Sequence, residues 1–326
     1  MKLVFCGTPV FAVPTLKLSL RAGYDVPLVV TQPDRPVGRG QVLTAPAVKT
    51  AAMEAGIRVT QPEKIKNNAE FRAELEAIQP DAILVVAYGR IIPKWMLDLP
   101  RLGNLNLHGS LLPKYRGAAP VQWAIANGEG STGATTMRLD EGLDTGDILL
   151  QREMALAPSM TAMDVFPLLA EMGADLMMET LRGLDAGTIT PRKQDESKAT
   201  LAPILTRDNG RMDFALPAMT LYNRWRGFQP WPGAWTMLEG KKLAVHRMLP
   251  TEVRGTMSRP PGELLVEQGT MFAACGDGTW LELVEVQPEG KRRMSAGEFL
   301  RGHGVQSGAR LGQGTGNREQ GTGNRE

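Results

Sequence analysis

The chain has 326 residues, 42% of them hydrophobic, and its 37 Lys and Arg against 35 Asp and Glu leave a formal net charge of +2. That length allows two domains, each with a core of its own, and the near-balance of charge means that any nucleic-acid role must come from local clusters rather than bulk composition. No run approaches the roughly 20 apolar residues of a membrane-spanning helix, and no signal-peptide cleavage region precedes the first apparent strand. The cysteines, Cys6 and Cys275, lie in opposite halves and fit neither a disulfide framework nor a zinc-ligand spacing. A cytoplasmic protein is expected, with Cys6 a small buried apolar group.

Residues 2–6, 26–31, 57–61, 82–87, 104–108 and 133–139 are apolar or β-branched runs bounded by Gly, Pro or Asp, and predict strands. Residues 15–22, 47–55, 69–78 and 119–127 carry helical spacing between them. After Pro158, Thr161 predicts a helix cap, with Asp164 completing a capping box and Val165, Leu168, Leu169, Met172 and Leu176 forming the apolar face. Such alternation predicts an α/β domain over 1–187 with a doubly wound, mostly parallel, Rossmann-like sheet, whose ligands sit beyond the C-terminal strand ends. Residues 188–206 lack periodicity and predict a linker. From 207 to 305, one helix near 217–226 and short runs at 233–237, 242–247, 262–266 and 280–286 predict a smaller, OB-like β-barrel. The remainder, 306–326, predicts a disordered tail ending in the heptapeptide QGTGNRE written twice.

Asn106 and His108 alternate with Leu105 and Leu107 and so share one strand face, at a strand end immediately before Gly109. Taken alone, an Asn-x-His pair most often only bonds loop backbone. A second segment, 137–147, brings Asp140, Glu141, Asp144 and Asp147 into a Gly-marked loop after another strand. A carboxylate such as Asp144 could orient the imidazole, while Asn106 donates to charge developing on an attacked carbonyl oxygen. Acyl transfer without a covalent intermediate fits this trio, because Ser110 does not sit in a nucleophile elbow. The carboxylates could also bind a metal, but no His or Cys companions make that specific, and no metal is expected.

The run from His108 through Gly109-Ser110-Leu111-Leu112-Pro113-Lys114-Tyr115-Arg116 to Gly117, with Pro120 and Trp123 after it, Leu143-Asp144-Thr145-Gly146-Asp147, Phe5-Cys6-Gly7-Thr8-Pro9 and the segment 31–40, resembles the folate-dependent formyltransferases over about residues 1–305. The resemblance implies Asn106, His108 and Asp144 as the catalytic trio, Ser110, Leu111, Leu112 and Pro113 lining the carrier site, and 10-formyltetrahydrofolate as a dissociable donor. Within the family the chain is most similar to members that act on methionyl initiator tRNA, which implies that acceptor, a monomeric enzyme, and tRNA contact by Arg35 and Arg39. It also implies tRNA assistance from the C-terminal barrel, where RWRGFQPWPGAW, Lys241-Lys242 and Lys291-Arg292-Arg293 gather cations and aromatics. Most of those tryptophans are nevertheless expected in the barrel core. Ile204 stands where such enzymes often carry lysine. An amino-sugar nucleotide is the nearest alternative acceptor; the arginine loop and C-terminal cations speak against it.

Overall fold

The computed structural model describes residues 1–38, 40–252 and 259–312. It falls into two compact units, one comprising Met1–Ala124 and Glu129–Ile204, the other Ile125–Gly128 and the chain from Leu205 onward.

Strands of the first unit are β1 (Lys2–Gly7), β2 (Asp25–Val30), β3 (Arg35–Val37), β4 (Val42–Thr44), β5 (Val59–Thr60), β6 (Ala82–Val86), β7 (Asn104–His108), β8 (Ser131–Arg138) and β9 (Ile148–Ala155). Its helices are α1 (Val13–Arg21), α2 (Ala47–Glu54), α3 (Ala69–Ile78), the short α4 (Lys94–Leu97), α5 (Pro120–Ala126), which runs into the second unit's short segment, and α6 (Ala162–Asp185). Seven strands form one sheet in the order β5-β2-β1-β6-β7-β8-β9, parallel as far as β7. β8 and β9 then join antiparallel. The doubly wound sheet expected from the sequence is therefore present, with an antiparallel hairpin at one edge.

Alternation decides which side of this sheet each residue serves. Leu3, Phe5, Leu84, Leu105 and Leu107 pack with Leu16, Leu176 and Leu181 on one face. Val4, Cys6, Ile83 and Val85 pack with Phe71, Leu75 and Met96 on the other. Because Leu105 and Leu107 take the first face, Asn104, Asn106 and His108 must take the second. Helix α6 lies close on Leu107: a Cβ at Gly173 would sit 2.7 Å from its Cδ2. The capping box forms, with the Thr161 N–H and hydroxyl both donating to Asp164 Oδ2 at 2.8 and 2.7 Å, which holds the Asp164 carboxyl below its usual range. Val165, Leu169 and Leu176 are buried as expected, but Leu168 is turned outward.

Two more expectations change. The arginine loop over residues 32–41 contains the first arm of a hairpin, β3 paired antiparallel with β4. The supposed linker is tied into the first unit, through a bridge between Ile148 and Arg192, another between Arg116 and Leu201, and the bond from Ala202 N–H to Arg116 O at 2.7 Å.

The second unit contains α7 (Ala218–Gly227), β10 (Ala234–Leu238), β11 (Lys241–Thr251), β12 (Leu264–Glu267), β13 (Thr270–Ala274), β14 (Trp280–Pro288), β15 (Met294–Ser295) and α8 (Ala296–His303). Antiparallel pairing runs β10-β11-β14-β13-β12, with β15 beside β14. The seam between β12 and β10 is bridged by the segment 308–312. Leu264 N–H donates to Ala309 O and Leu311 N–H to Gly262 O, both at 2.8 Å, while Gly312 N–H donates to Met237 O at 2.9 Å. Residues 306–312, expected in a disordered tail, thus complete the barrel; leaving sheet edges unpaired would expose a row of backbone donors and acceptors. The doubled heptapeptide lies outside the described residues. Leu243, Met248, Leu264, Met271, Leu281, Phe299 and Cys275 form the interior.

Tryptophans 225, 231 and 235 do not fill that interior. In β10, Ala234, Thr236 and Leu238 point inward, so Trp235 points out, with Arg211 and Lys242 5.9 and 4.7 Å from its ring centroid. Trp231 is exposed and Trp225 only packs partly against the core, whereas Trp280 is buried. Among the described residues no helix is long and apolar enough to cross a membrane.

Candidate active site

Strand β7 is an interior strand of the sheet, with Asn106 opposite Val85 of β6 and Met137 of β8, and His108 opposite Thr135. Backbone ladders on both sides fix where the two polar side chains project. His108 is 5% exposed. Its Nε2 lies 2.8 Å from the Tyr115 carbonyl oxygen, and a carbonyl only accepts, so Nε2 carries a proton. In the neutral ring this leaves the lone pair on Nδ1. That atom faces Asp144 Oδ2 at 3.7 Å, beyond direct hydrogen-bond range.

Asp144 occupies a tight loop after β8. Its φ of +53° is left-handed, a conformation that costs a non-glycine residue about 1 kcal/mol. The loop is over-determined by its surroundings: Asp140 Oδ1 accepts from Gly142 N–H at 3.0 Å and from the Thr145 hydroxyl at 2.8 Å. A side chain at Gly146 would strike the carbonyl of Arg138. Asp144 Oδ2 accepts from Gly117 N–H at 2.8 Å. Gly117 has φ +121°, and a Cβ there would stand 2.7 Å from Ala202 O, so this donor position demands glycine.

Asn104 and Asn106 behave differently on the same strand face. Asn104 donates to Met96 O at 2.8 Å and Leu97 O at 3.2 Å, holding the end of the α4 region. Asn106, 9% exposed, makes no side-chain hydrogen bond among the described residues. Its amide is not sealed from solvent and so stays open to a ligand oxygen. Asn106 and His108 thus share one face of β7, and Asp144 faces His108.

The expected carrier segment is placed less uniformly. Ser110 is 1% exposed, and its hydroxyl donates to Lys114 O at 2.6 Å. Leu112 packs with Met137 and Ile148. Its N–H donates to Thr135 Oγ1 at 3.1 Å and its carbonyl accepts from Gln151 Nε2 at 2.9 Å. Those two side chains are committed to the protein interior. Leu111 and Pro113 retain partial exposure.

Arg35 is exposed on β3, while Arg39 lies outside the described residues. The hairpin is anchored near its base by Asp34, which accepts from Gln61 Nε2 at 2.7 Å and from Lys49 Nζ at 2.8 Å. Those bonds, the Gln61 one foremost, hold the Asp34 carboxyl below the usual aspartate range. Val37, Val42 and Leu43 project from the hairpin into solvent. In the second unit Arg292 pairs with Glu298 and Arg293 with Glu285. Among the described residues no group of three or more His, Cys, Asp or Glu is placed to hold a metal ion. Glu141 instead pairs with Lys94 at 3.4 Å.

Sequence reasoning missed what the segment 192–202 does. Gln194 donates to Asp144 O at 2.7 Å and Gly146 O at 2.8 Å. Thr200 Oγ1 accepts from Tyr115 N–H at 2.9 Å, fixing the residue whose carbonyl holds His108. Arg116, in the matched motif, was the one available pointer: buried and cationic, it needed a partner somewhere in the chain.

Residues 1–181 match the formyl transferase family and residues 204–304 the formyl transferase C-terminal domain. The methionyl-tRNA formyltransferase of Acidobacterium capsulatum is 69% identical over 96% of this chain and 100% of its own length. That of Koribacter versatilis is 56% identical over 96% and 99%. Among solved structures, an N-formyltransferase from Helicobacter canadensis, in complex with folinic acid and dTDP-3-aminofucose, superposes with a TM-score of 0.65 over 88% of this chain and 99% of that one. At 19% identity that likeness speaks for the fold alone. With a match to the catalytic domain over more than half of the chain, and relatives this similar from end to end, the chain belongs to the formyl transferase family.

Proposed function

We propose that the protein moves the formyl group of 10-formyltetrahydrofolate to the free amino group of methionyl initiator tRNA. The observation that carries the reading is the strand-end placement of Asn106, whose amide stays open to a ligand, two residues from a histidine whose Nδ1 faces Asp144. High identity to enzymes named for this reaction selects the acceptor. In the transfer, the amine nitrogen bonds to the formyl carbon, the bond from that carbon to N10 of the carrier breaks, the amine loses a proton and N10 gains one.

Asn106 donates its amide N–H to the formyl oxygen as negative charge builds there, in a largely buried site where such a bond is worth more than in water. His108 uses Nδ1, the nitrogen not engaged by Tyr115, to take the amine proton directly or through a water held by Asp144. Asp144 then faces the imidazolium, which its charge stabilises. Leu111 and Pro113, together with the backbone of Ser110 and Leu112, shape the place of the carrier, whose own contribution is an activated formyl carbon. Arg35, exposed on β3, and Arg39 meet the tRNA. On this reading the protein works in the cytoplasm, where initiator tRNA is charged, and does so as a monomer.

The test is formyl transfer by the purified protein to methionyl initiator tRNA, with free methionine and an amino-sugar nucleotide as competing acceptors. Transfer to the tRNA, lost in His108→Ala, is expected; transfer to the sugar alone, or to no amine, would overturn the reading.

A further inference from the structure

Gln194 uses every hydrogen-bonding position it has. Its Oε1 accepts from Arg116 Nε at 3.0 Å and Nη2 at 2.8 Å. Its Nε2 donates to the carbonyls of Asp144 and Gly146. Arginine only donates and a carbonyl only accepts, so the chemistry fixes which end of the amide is which. Arg116 is itself buried and gripped by both oxygens of Glu196, Nη1 to Oε2 at 2.8 Å and Nη2 to Oε1 at 2.7 Å. A guanidinium against the amide oxygen polarises the amide and strengthens its two N–H donors.

These donors close on the turn that carries Asp144 in a left-handed conformation. Among the described residues, the Asp144 carboxylate itself has one hydrogen bond, from Gly117 N–H. The backbone beneath it is therefore what sets its distance from His108. We propose that Gln194 is a positioning residue for formyl transfer, holding the 144–146 turn so that Asp144 faces His108, with Arg116 and Glu196 keeping the amide in register. The inference rests on the reading of Asp144 given above.

Gln194→Glu preserves shape and the acceptor toward Arg116, but removes both donors and sets a carboxylate against two carbonyls. Gln194→Met keeps the length and removes every bond. Both are expected to lower kcat about 10–100-fold, since a displacement of about 1 Å in a reacting group can cost about 100-fold. KM for either substrate should stay within about two-fold, since a displaced carboxylate spoils chemistry more than binding. The pH profile of kcat should move with the altered spacing between Asp144 and His108. Glu196→Gln, which only loosens the grip on Arg116, should give a smaller loss of the same kind, and it carries the test if the Gln194 variants fail to fold. Wild-type kcat in the Gln194 variants, or a rise in KM with kcat unchanged, would overturn the proposal. Asp144→Asn, assayed alongside, separates the two ideas: full activity there sinks the site reading itself, whereas loss there with active Gln194 variants sinks only the clamp.

Discussion

Strand β7 buries Asn104, Asn106 and His108, whereas the β3–β4 hairpin of the same unit holds Val37, Val42 and Leu43 at 56%, 66% and 66% exposure. Each departs from the rule that apolar groups go in and polar groups out, and in opposite senses. Burial of a polar group is tolerated when a partner satisfies it, and exposure of clustered apolar groups is tolerated when something covers it in use. The Asn104 amide donates twice within the protein, although its Oδ1 is buried without a partner among the described residues; the Asn106 amide has no partner there, and the hairpin's apolar side chains stand in solvent. Within a single strand, one amide's N–H groups serve the fold and the other's are left open.

The largest effect expected from breaking the comparison is at Asn106. Asn106→Ala should lower kcat by about 10²–10³-fold, as loss of an oxyanion donor does, while thermal unfolding is nearly unchanged, because no side-chain hydrogen bond among the described residues is lost. Single-turnover transfer assays and a melting curve check both halves of that statement. Asn104→Ala should do the reverse. Leaving the carbonyls of Met96 and Leu97 without their donor should cost about 1–3 kcal/mol of stability, with kcat per folded molecule close to that of the parent; chemical denaturation paired with activity measures it. The smallest effect is at the hairpin, where replacing Val42 and Leu43 together by serine should raise KM for tRNA several-fold. Stability and turnover at saturation should stay as they were, since those side chains touch no core.

Much of the architecture was legible because local signals and tertiary environment agree. The buried runs of β1, β2 and β6 read as strands, and α3, capped by Asn68, whose side chain accepts from Phe71 N–H at 3.0 Å, covers the residues its spacing predicts. Strand β9 was hidden because Gln151, Arg152 and Glu153 interrupt its apolar character at the sheet edge. Helix α8 was missed although Ser295 and Glu298 spell a capping box and Gly304 a left-handed stop; its eight residues were lost among short strands. Of the site, Asn106, His108 and Asp144 were visible as strand-end polar residues and a Gly-marked loop. The partners of Arg116 were not, because Gln194 and Glu196 lie about eighty residues away, 78 and 80 positions along the chain, in a stretch whose lack of periodicity reads as linker. Nor could the sequence show that residues 308–312 bridge two strands separated from each other in the chain.

The two cysteines, placed in separate cores, give the molecule an internal chemical reporter in each unit. Cys6 sits fully buried among Val4, Val85 and Tyr88, and Cys275 lies in the barrel interior. Burial raises both thiols, that of Cys275 to about 12, so neither offers a thiolate at neutral pH and both are shielded from alkylating reagents in the folded protein. A thiol that does react has first been uncovered, and which of the two reacts tells which half of the molecule has opened.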